Sequence, residues 1–157
     1  MIDLKKFMQA VGKPLTDAGF LYRSRTWHLD SSEVITLLNL QSSDYSSENY
    51  VNLGFFIKSI ELHDNPPKEN KCHVQIRAGA AFSDIAYDIK VLFDPKSTQE
   101  GGDQLAGIHE VVSHRILPFL LEGSTVKGLK SMIDRKIFVN GLVMKPAIER
   151  LLKARES

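Results

Sequence analysis

The chain has a single cysteine, Cys72, so no disulfide can form within it. A lone thiol is typical of proteins in a reducing compartment. Apolar runs are short: none approaches the roughly 20 residues that a membrane-spanning helix needs. The first seven residues also lack the apolar core of a signal peptide. These absences predict a cytoplasmic protein with no membrane association.

An excess of charge of either sign is also missing. Twenty lysines and arginines face nineteen aspartates and glutamates, which leaves a net charge of +1. That balance gives no bulk electrostatic reason to expect nucleic acid or an anionic membrane as the partner. A local basic patch remains compatible with it, because net charge says nothing about distribution.

Signatures of cofactor and metal binding are absent too. Gly101-Gly102 precedes a predicted helix, but no Lys-Ser or Lys-Thr pair follows to complete a phosphate-binding loop. His109 and His114 are five residues apart, whereas two zinc ligands on one helical face are four apart. We therefore expect neither a metal site nor a cofactor.

The composition that is present is that of a globular protein, with 43% hydrophobic and 25% charged residues. We expect a single domain over residues 1–157. Apolar residues at steps of three and four, from Leu4 to Ala18, predict an N-terminal helix. Asp3 is its expected N-cap and Gly19 its C-cap, and Pro14 predicts a kink or break.

Period-two alternation then predicts β-strands. They cover residues 20–29, 33–41, 50–58 and 72–77. Short polar loops between them favour antiparallel pairing. Residues 85–93 fit either a strand or a helix, and we favour a fifth strand. Helices are expected from Asp103, Ser124 and Pro146 onward. The predicted class is α+β: an N-terminal helix, an antiparallel sheet of four to five strands, and C-terminal helices packed on one sheet face.

The same alternation leaves one sheet face in contact with water, and this face is the candidate binding surface. Arginine and aromatic side chains give large contact energies at low entropic cost, which favours recognition. The alternative is an ordinary solvated face. The predicted members of the candidate binding surface are Arg23, Arg25, Trp27, Asn39, Gln41, Asn52, His73, Gln75 and Arg77.

Cys72 and His73 are neighbours on a predicted strand, so their side chains should point to opposite faces. They are therefore unsuited to act together as nucleophile and base. We expect Cys72 to be buried and His73 to lie on the exposed face. No catalytic residue is assigned.

Several short motifs resemble those of a bacterial group known as domain-of-unknown-function family 4304. They are Gly19-Phe20, Arg25-Thr26-Trp27, Asn39-Leu40-Gln41-Ser42, Asn52-Leu53-Gly54, Cys72-His73 with Arg77 and Gly79, and Leu117-Pro118-Phe119-Leu120. The resemblance implies a bacterial cytoplasmic protein, compatible with gene neighbours in defence or toxin systems. It implies no activity, catalytic residue or cofactor.

Three functions follow as hypotheses. The favoured one is a binding module, immunity-like, that uses the polar sheet face to contact a protein partner or a second copy of itself. Single-stranded nucleic-acid binding is the first alternative, through Trp27 and the nearby arginines. A small-molecule enzyme is the second, with His73, Arg77 and a carboxylate such as Glu33 or Asp44.

Overall fold

A computed structural model describes residues 2–63, 65–97 and 101–153 of the chain. The helices are α1 (Leu4–Asp17), α2 (Ala78–Ala81), α3 (Ala86–Leu92), α4 (Gly101–Val111), α5 (Leu117–Glu122), α6 (Val126–Asp134) and α7 (Lys145–Lys153). The strands are β1 (Leu21–Arg23), β2 (Thr26–Asp30), β3 (Val34–Ser42), β4 (Asn49–Ile57), β5 (Val74–Arg77) and β6 (Leu142–Val143). A π-helical segment, Val112–Ile116, joins α4 to α5. The predicted α+β class is confirmed.

The six strands form one antiparallel sheet in which spatial order follows chain order. Strands β3 and β4 form its centre, paired over nine residues from Val34–Ile57 to Ser42–Asn49. The sheet has six strands where four to five were predicted. The additional strands are β1 and β6.

Strand β1 was missed because a two-residue turn divides the predicted first strand. Ser24 and Arg25 both have positive φ, 51° and 61°, and Arg23 pairs directly with Thr26 across them. Positive φ at both central residues is the geometry of a type I′ hairpin turn, which usually carries Asn-Gly or another glycine pair. Ser-Arg gives no such signal in the sequence.

One face of the sheet is packed under helices. Alternate residues of the central strands, including Leu38, Leu53 and Phe55, are fully buried there. Helix α1 covers this face with Phe7, Val11 and Leu15, and α5 packs on it as well, with the Phe119 ring against Phe55. Burying this apolar surface is the main source of stability of the fold.

Helix α1 has the predicted N-cap, Asp3, but its C-cap is Ala18, one residue before the predicted Gly19, and the helix does not break. The Asp3 carboxylate accepts hydrogen bonds from the backbone N–H groups of Lys5 and Lys6, at 2.7 and 3.4 Å. The chain leaves the helix through Gly19, whose φ of +98° suits glycine. Pro14 lies inside the helix, which is continuous across it.

The prediction of a strand over residues 85–93 is wrong, because α3 occupies this region. Ile89 and Leu92, three residues apart, are buried, whereas Tyr87 and Asp88 are exposed, which is the pattern of a helix. Strand β6 pairs with the free edge of β5. The sheet position that a fifth strand would have taken is therefore filled from the C-terminal part of the chain.

The second sheet face, predicted to be wet throughout, divides into two halves. Near one end Ile35, Leu37, Phe56 and Cys72 form a small apolar cluster of their own, each at most 1% exposed. The connection between β4 and β5 packs against it and brings Cys72 there. The half of this face that retains polar side chains is the candidate site.

Candidate functional site

A row of polar residues crosses five strands of the second face. Consecutive members are direct cross-strand partners: Arg23 with Thr26, Thr26 with Asn39, Asn39 with Asn52, and Asn52 with Arg77. Since side chains alternate between faces along each strand, paired residues share one face. We call these five residues the polar row.

Hydrogen bonds link the centre of the polar row. The Asn39 amide donates to Thr26 Oγ1 at 3.0 Å. The Asn52 amide donates to Asn39 Oδ1 at 3.3 Å and to Gln41 Oε1 at 3.0 Å. Asn52 is only 5% exposed, and these bonds satisfy both of its N–H donors. The network holds the half-buried Asn39 and the exposed Gln41 in fixed orientations.

Two adjoining clefts lie over the polar row. The first, of about 550 Å³, is formed between the β1–β2 hairpin and the segment from Asn65 to Glu69. The second, of about 420 Å³, lies over Asn52, Gln75 and Arg77. Glu69 lines both clefts, and we call the two clefts together the depression.

An arginine stands at each end of the polar row, and neither forms an ion pair within the described chain. Arg23 donates to the backbone oxygen of Asn65 at 3.0 Å. The Arg77 guanidinium lies 3.9 Å from the centre of the Tyr50 ring, a cation–π contact. By contrast, Arg115 and Arg135 on the helices pair with Asp84 and Glu122.

Glu69 is the acidic group of this depression. Its burial raises the pKa of the carboxyl group, and the nearby positive charge of Arg77 opposes that effect. Desolvation disfavours the charged form of an acid, so the dominant cause is the loss of water around it. A half-buried carboxylate therefore lies between the two arginines.

Six predicted surface residues line this depression: Arg23, Asn39, Gln41, Asn52, Gln75 and Arg77. Three others, Trp27, His73 and Arg25, do not. These three do not belong to the exposed polar face.

Trp27 lies on the opposite face, packed under helix α1. It is 3% exposed, and its ring lies so close to Gly12 that a Cβ there would be 2.6 Å from Trp27 Nε1. The prediction of Trp27 on the wet face is wrong because the hairpin turn after Arg23 changes which residues face the helices. Thr26, its neighbour, takes the place in the polar row.

His73 is buried, at 1% exposure, so its prediction as an exposed residue is also wrong. Its Nδ1 accepts a hydrogen bond from Ile57 N–H at 3.0 Å, and its Nε2 lies 2.8 Å from Glu61 Oε1. An Nδ1 that accepts carries no proton, so Nε2 donates to the carboxylate. With both nitrogens engaged, His73 anchors the connection between β4 and β5.

Arg25 sits in the hairpin turn and is used for a local structural contact. Its Nε donates to the Leu40 carbonyl oxygen at 3.0 Å. Its guanidinium also bonds Asn49 Oδ1, and Asn49 in turn donates to the Phe93 carbonyl oxygen. Arg25 therefore ties the turn to the end of the central strands, away from the polar row.

The residues proposed for an enzyme are not brought together either. His73 is committed to Ile57 and Glu61. Glu33 accepts from the backbone N–H of Val126 at 3.2 Å, at the start of helix α6. Across residues 2–63, 65–97 and 101–153, no three His, Cys, Asp or Glu side chains cluster as metal ligands would.

Sequence reasoning missed several contributors to the depression, among them Thr26, Lys68 and Glu69. Thr26 was recoverable, because a hairpin turn at Ser24-Arg25 would have placed it on the polar face. Lys68 and Glu69 belong to an irregular connection between β4 and β5, which has no periodicity to reveal where its side chains lie.

The fold and the site thus define a small α+β protein with one helix-covered sheet face and one polar, partly covered face. A family model described as "Domain of unknown function (DUF4304)" matches residues 11–122. The chain belongs to this family. Comparison with curated proteins and with solved structures gave no significant match. Among the described helices, none is long and apolar enough to cross a membrane.

Proposed function

We propose that this protein is a binding module that captures a segment of another protein in the depression over the polar row. The observation that carries the proposal is the polar row itself. Five cross-strand partners end in two arginines without ion-pair partners within the described residues. Such arginines retain unused N–H donors that can form charge-assisted hydrogen bonds with a ligand.

The shape of the depression supports a macromolecular partner. The two clefts together are lined by residues of all six strands and are open to solvent. Sites for small molecules are usually enclosed pockets lined mainly by apolar side chains. An open polar trough suits a segment of chain laid across it.

Single-stranded nucleic acid is less well supported. Binding of that kind depends on aromatic rings on which bases stack. Trp27, the aromatic residue expected to do this, packs beneath α1 instead. Tyr50 lies at one end of the face, but the Arg77 guanidinium already covers one side of its ring.

We place this module in the bacterial cytoplasm, with an immunity-like role as the working hypothesis. The single thiol supports a reducing compartment, since Cys72 is buried and forms no disulfide. The depression would then bind and neutralise a partner without catalysis.

Site-specific photo-crosslinking tests this function without assuming the chemistry of the partner. A benzophenone amino acid is introduced at Lys68, an exposed residue that lines the first cleft, in cells of the source organism. Lys127, which is also exposed and lies on α6, is the matched control position. We expect a discrete, protease-sensitive adduct with a second protein from Lys68 only.

A blocking variant assigns the adduct to the depression. Asn39→Phe fills the middle of the polar row without changing charge, and Ser131→Phe adds the same ring to an exposed position on α6. The first should abolish the adduct and the second should leave it intact. A nuclease-sensitive adduct, an adduct of the chain with itself, or equal adducts from Lys68 and Lys127 would each overturn the proposal.

A further inference from the structure

The positive charges of the depression are placed at its two ends. Arg23 and Arg77 are separated by four strand-to-strand steps, which places their Cα atoms about 19 Å apart at about 4.8 Å per step. Lys68, which lines the first cleft, adds a third cation near the Arg23 end. Two cationic ends are therefore separated by an uncharged middle of Thr26, Asn39 and Asn52.

The unused hydrogen-bonding groups of the row are mainly donors. Asn52 spends both amide hydrogens on Asn39 and Gln41. Asn39 donates one amide hydrogen to Thr26 Oγ1, and its other amide hydrogen is unused. Gln41 lies beside the row, and its amide nitrogen has no partner among the described residues, so it offers two donors. A ligand rich in oxygen acceptors matches this set.

Glu69 places a negative charge between the two cationic ends, where it lines both clefts. A nucleic-acid strand carries a phosphate on every nucleotide, so one crossing the whole depression would bring anionic groups close to this carboxylate. A peptide can carry acidic side chains at its ends and neutral ones between them. The distribution of charge therefore favours a peptide.

We propose that the partner presents an extended acidic peptide that crosses the strands, with two carboxylates six residues apart. An extended chain advances about 3.3 Å per residue, so six residues span about 20 Å. Residues an even number apart project to the same side, and both carboxylates would face the sheet. One would bind Arg77 beside Tyr50, and the other Arg23. This inference rests on the proposed function.

A defined peptide tests it directly. The probe is fluorescein-labelled Glu-Ser-Asn-Thr-Asn-Ser-Glu with blocked ends, titrated with the full chain and followed by fluorescence anisotropy. Matched peptides replace both Glu by Gln, or place the two Glu three residues apart. We expect each control peptide to bind at least tenfold more weakly, because each loses one or both charge-assisted contacts.

Variants of the protein locate the contact. Arg77→Gln should weaken binding of the probe roughly tenfold, since it removes the guanidinium at one end. Arg150→Gln is the matched control, because Arg150 also lacks an ion-pair partner among the described residues and bonds Ser59 Oγ on another part of the surface. Its binding constant should be unchanged.

Failure of this inference can be separated from failure of the proposed function. If the Lys68 adduct forms but the Glu and Gln peptides bind equally, the module binds a protein of other chemistry and only the acidic-peptide inference falls. An oligothymidine probe that binds more tightly than the Glu peptide, with loss on Arg77→Gln, would overturn both. Tight binding of the peptide with Glu three residues apart would overturn the six-residue spacing.

Discussion

The contact between Gly12 and Trp27 is the feature of this fold most open to a quantitative test. Gly12 lies inside helix α1, and a Cβ built there would be 2.6 Å from Trp27 Nε1 and 2.9 Å from Cε2 and Cζ2. Those atoms belong to a rigid, buried ring that has no free end to move aside. Gly12→Ala should therefore push the helix away from the sheet.

The expected magnitude is the difference of two effects. Alanine in place of glycine in a helix interior gains about 1 kcal/mol. Overpacking a core typically costs ~1–3 kcal/mol, and the upper half of that range applies to a contact with a rigid ring. Gly12→Ala should thus lower the free energy of unfolding by about 1–2 kcal/mol.

A double-mutant cycle with Trp27→Leu separates the two effects. Leucine lacks the ring atoms in question, so in that background Gly12→Ala should raise the free energy of unfolding by about 1 kcal/mol. Gly102→Ala, where nothing lies within 4 Å of the new Cβ, is the control for helix propensity alone and should be neutral or stabilising. Urea unfolding followed by far-UV circular dichroism measures all of these chains. Equal effects of Gly12→Ala in the two backgrounds, or stabilisation in the presence of Trp27, would refute the packing described here.

Three further predictions concern single side chains. Burial, with a smaller contribution from Glu69, raises the pKa of the Cys72 thiol far above its usual range. The thiol should therefore resist Ellman's reagent in the native protein and react at once in urea. Rapid labelling of the native protein would contradict its burial. Burial is also the largest cause that lowers the pKa of His28 from 6.5. The unfolded chain therefore takes up a proton before the folded one, and stability should decline as pH falls below about 6.5, more in the parent than in His28→Leu; parallel pH profiles from calorimetry would count against this. Asp3→Ala should cost about 1 kcal/mol through loss of the N-cap of α1, with Asp3→Asn close to neutral by urea unfolding, and equal losses from both would argue against capping.

Local signals in the chain were sufficient for many of the elements. Leu4, Phe7, Val11 and Leu15 recur at helical spacing, and Asp3 caps the helix that they predict. Period-two alternation identified the long strands β3 and β4, and the short polar loop between them predicted their antiparallel pairing. Both signals depend on residues close in sequence, which is why they could be recognised without a structure.

Residues 85–93 illustrate where such signals are ambiguous. A short apolar run is compatible with a strand and with a helix, and the choice depends on what else is available to pair with the sheet. Here Leu142 and Val143 pair with β5 from a distant part of the chain. Nothing near residue 90 in the sequence could reveal that competition.

The candidate site shows the same division. Asn39, Asn52 and Arg77 were identified as members of one polar face from strand alternation alone, because side-chain direction within a strand is a local property. Which of these residues are direct cross-strand partners is a tertiary property, because it depends on how the strands pair. Arg23 and Thr26 join the polar row because the chain turns at Ser24-Arg25.

The amino-acid sequence by itself therefore determined the α+β class, the antiparallel sheet and the polar character of one face, since each follows from periodicity and capping within short segments. Tertiary structure alone decided that Trp27 packs against Gly12 and that His73 is sealed by Ile57 and Glu61. It also decided that Glu69 reaches the centre of the depression. Each of these depends on how an irregular loop or turn is placed against residues distant in sequence, and no local pattern encodes that placement.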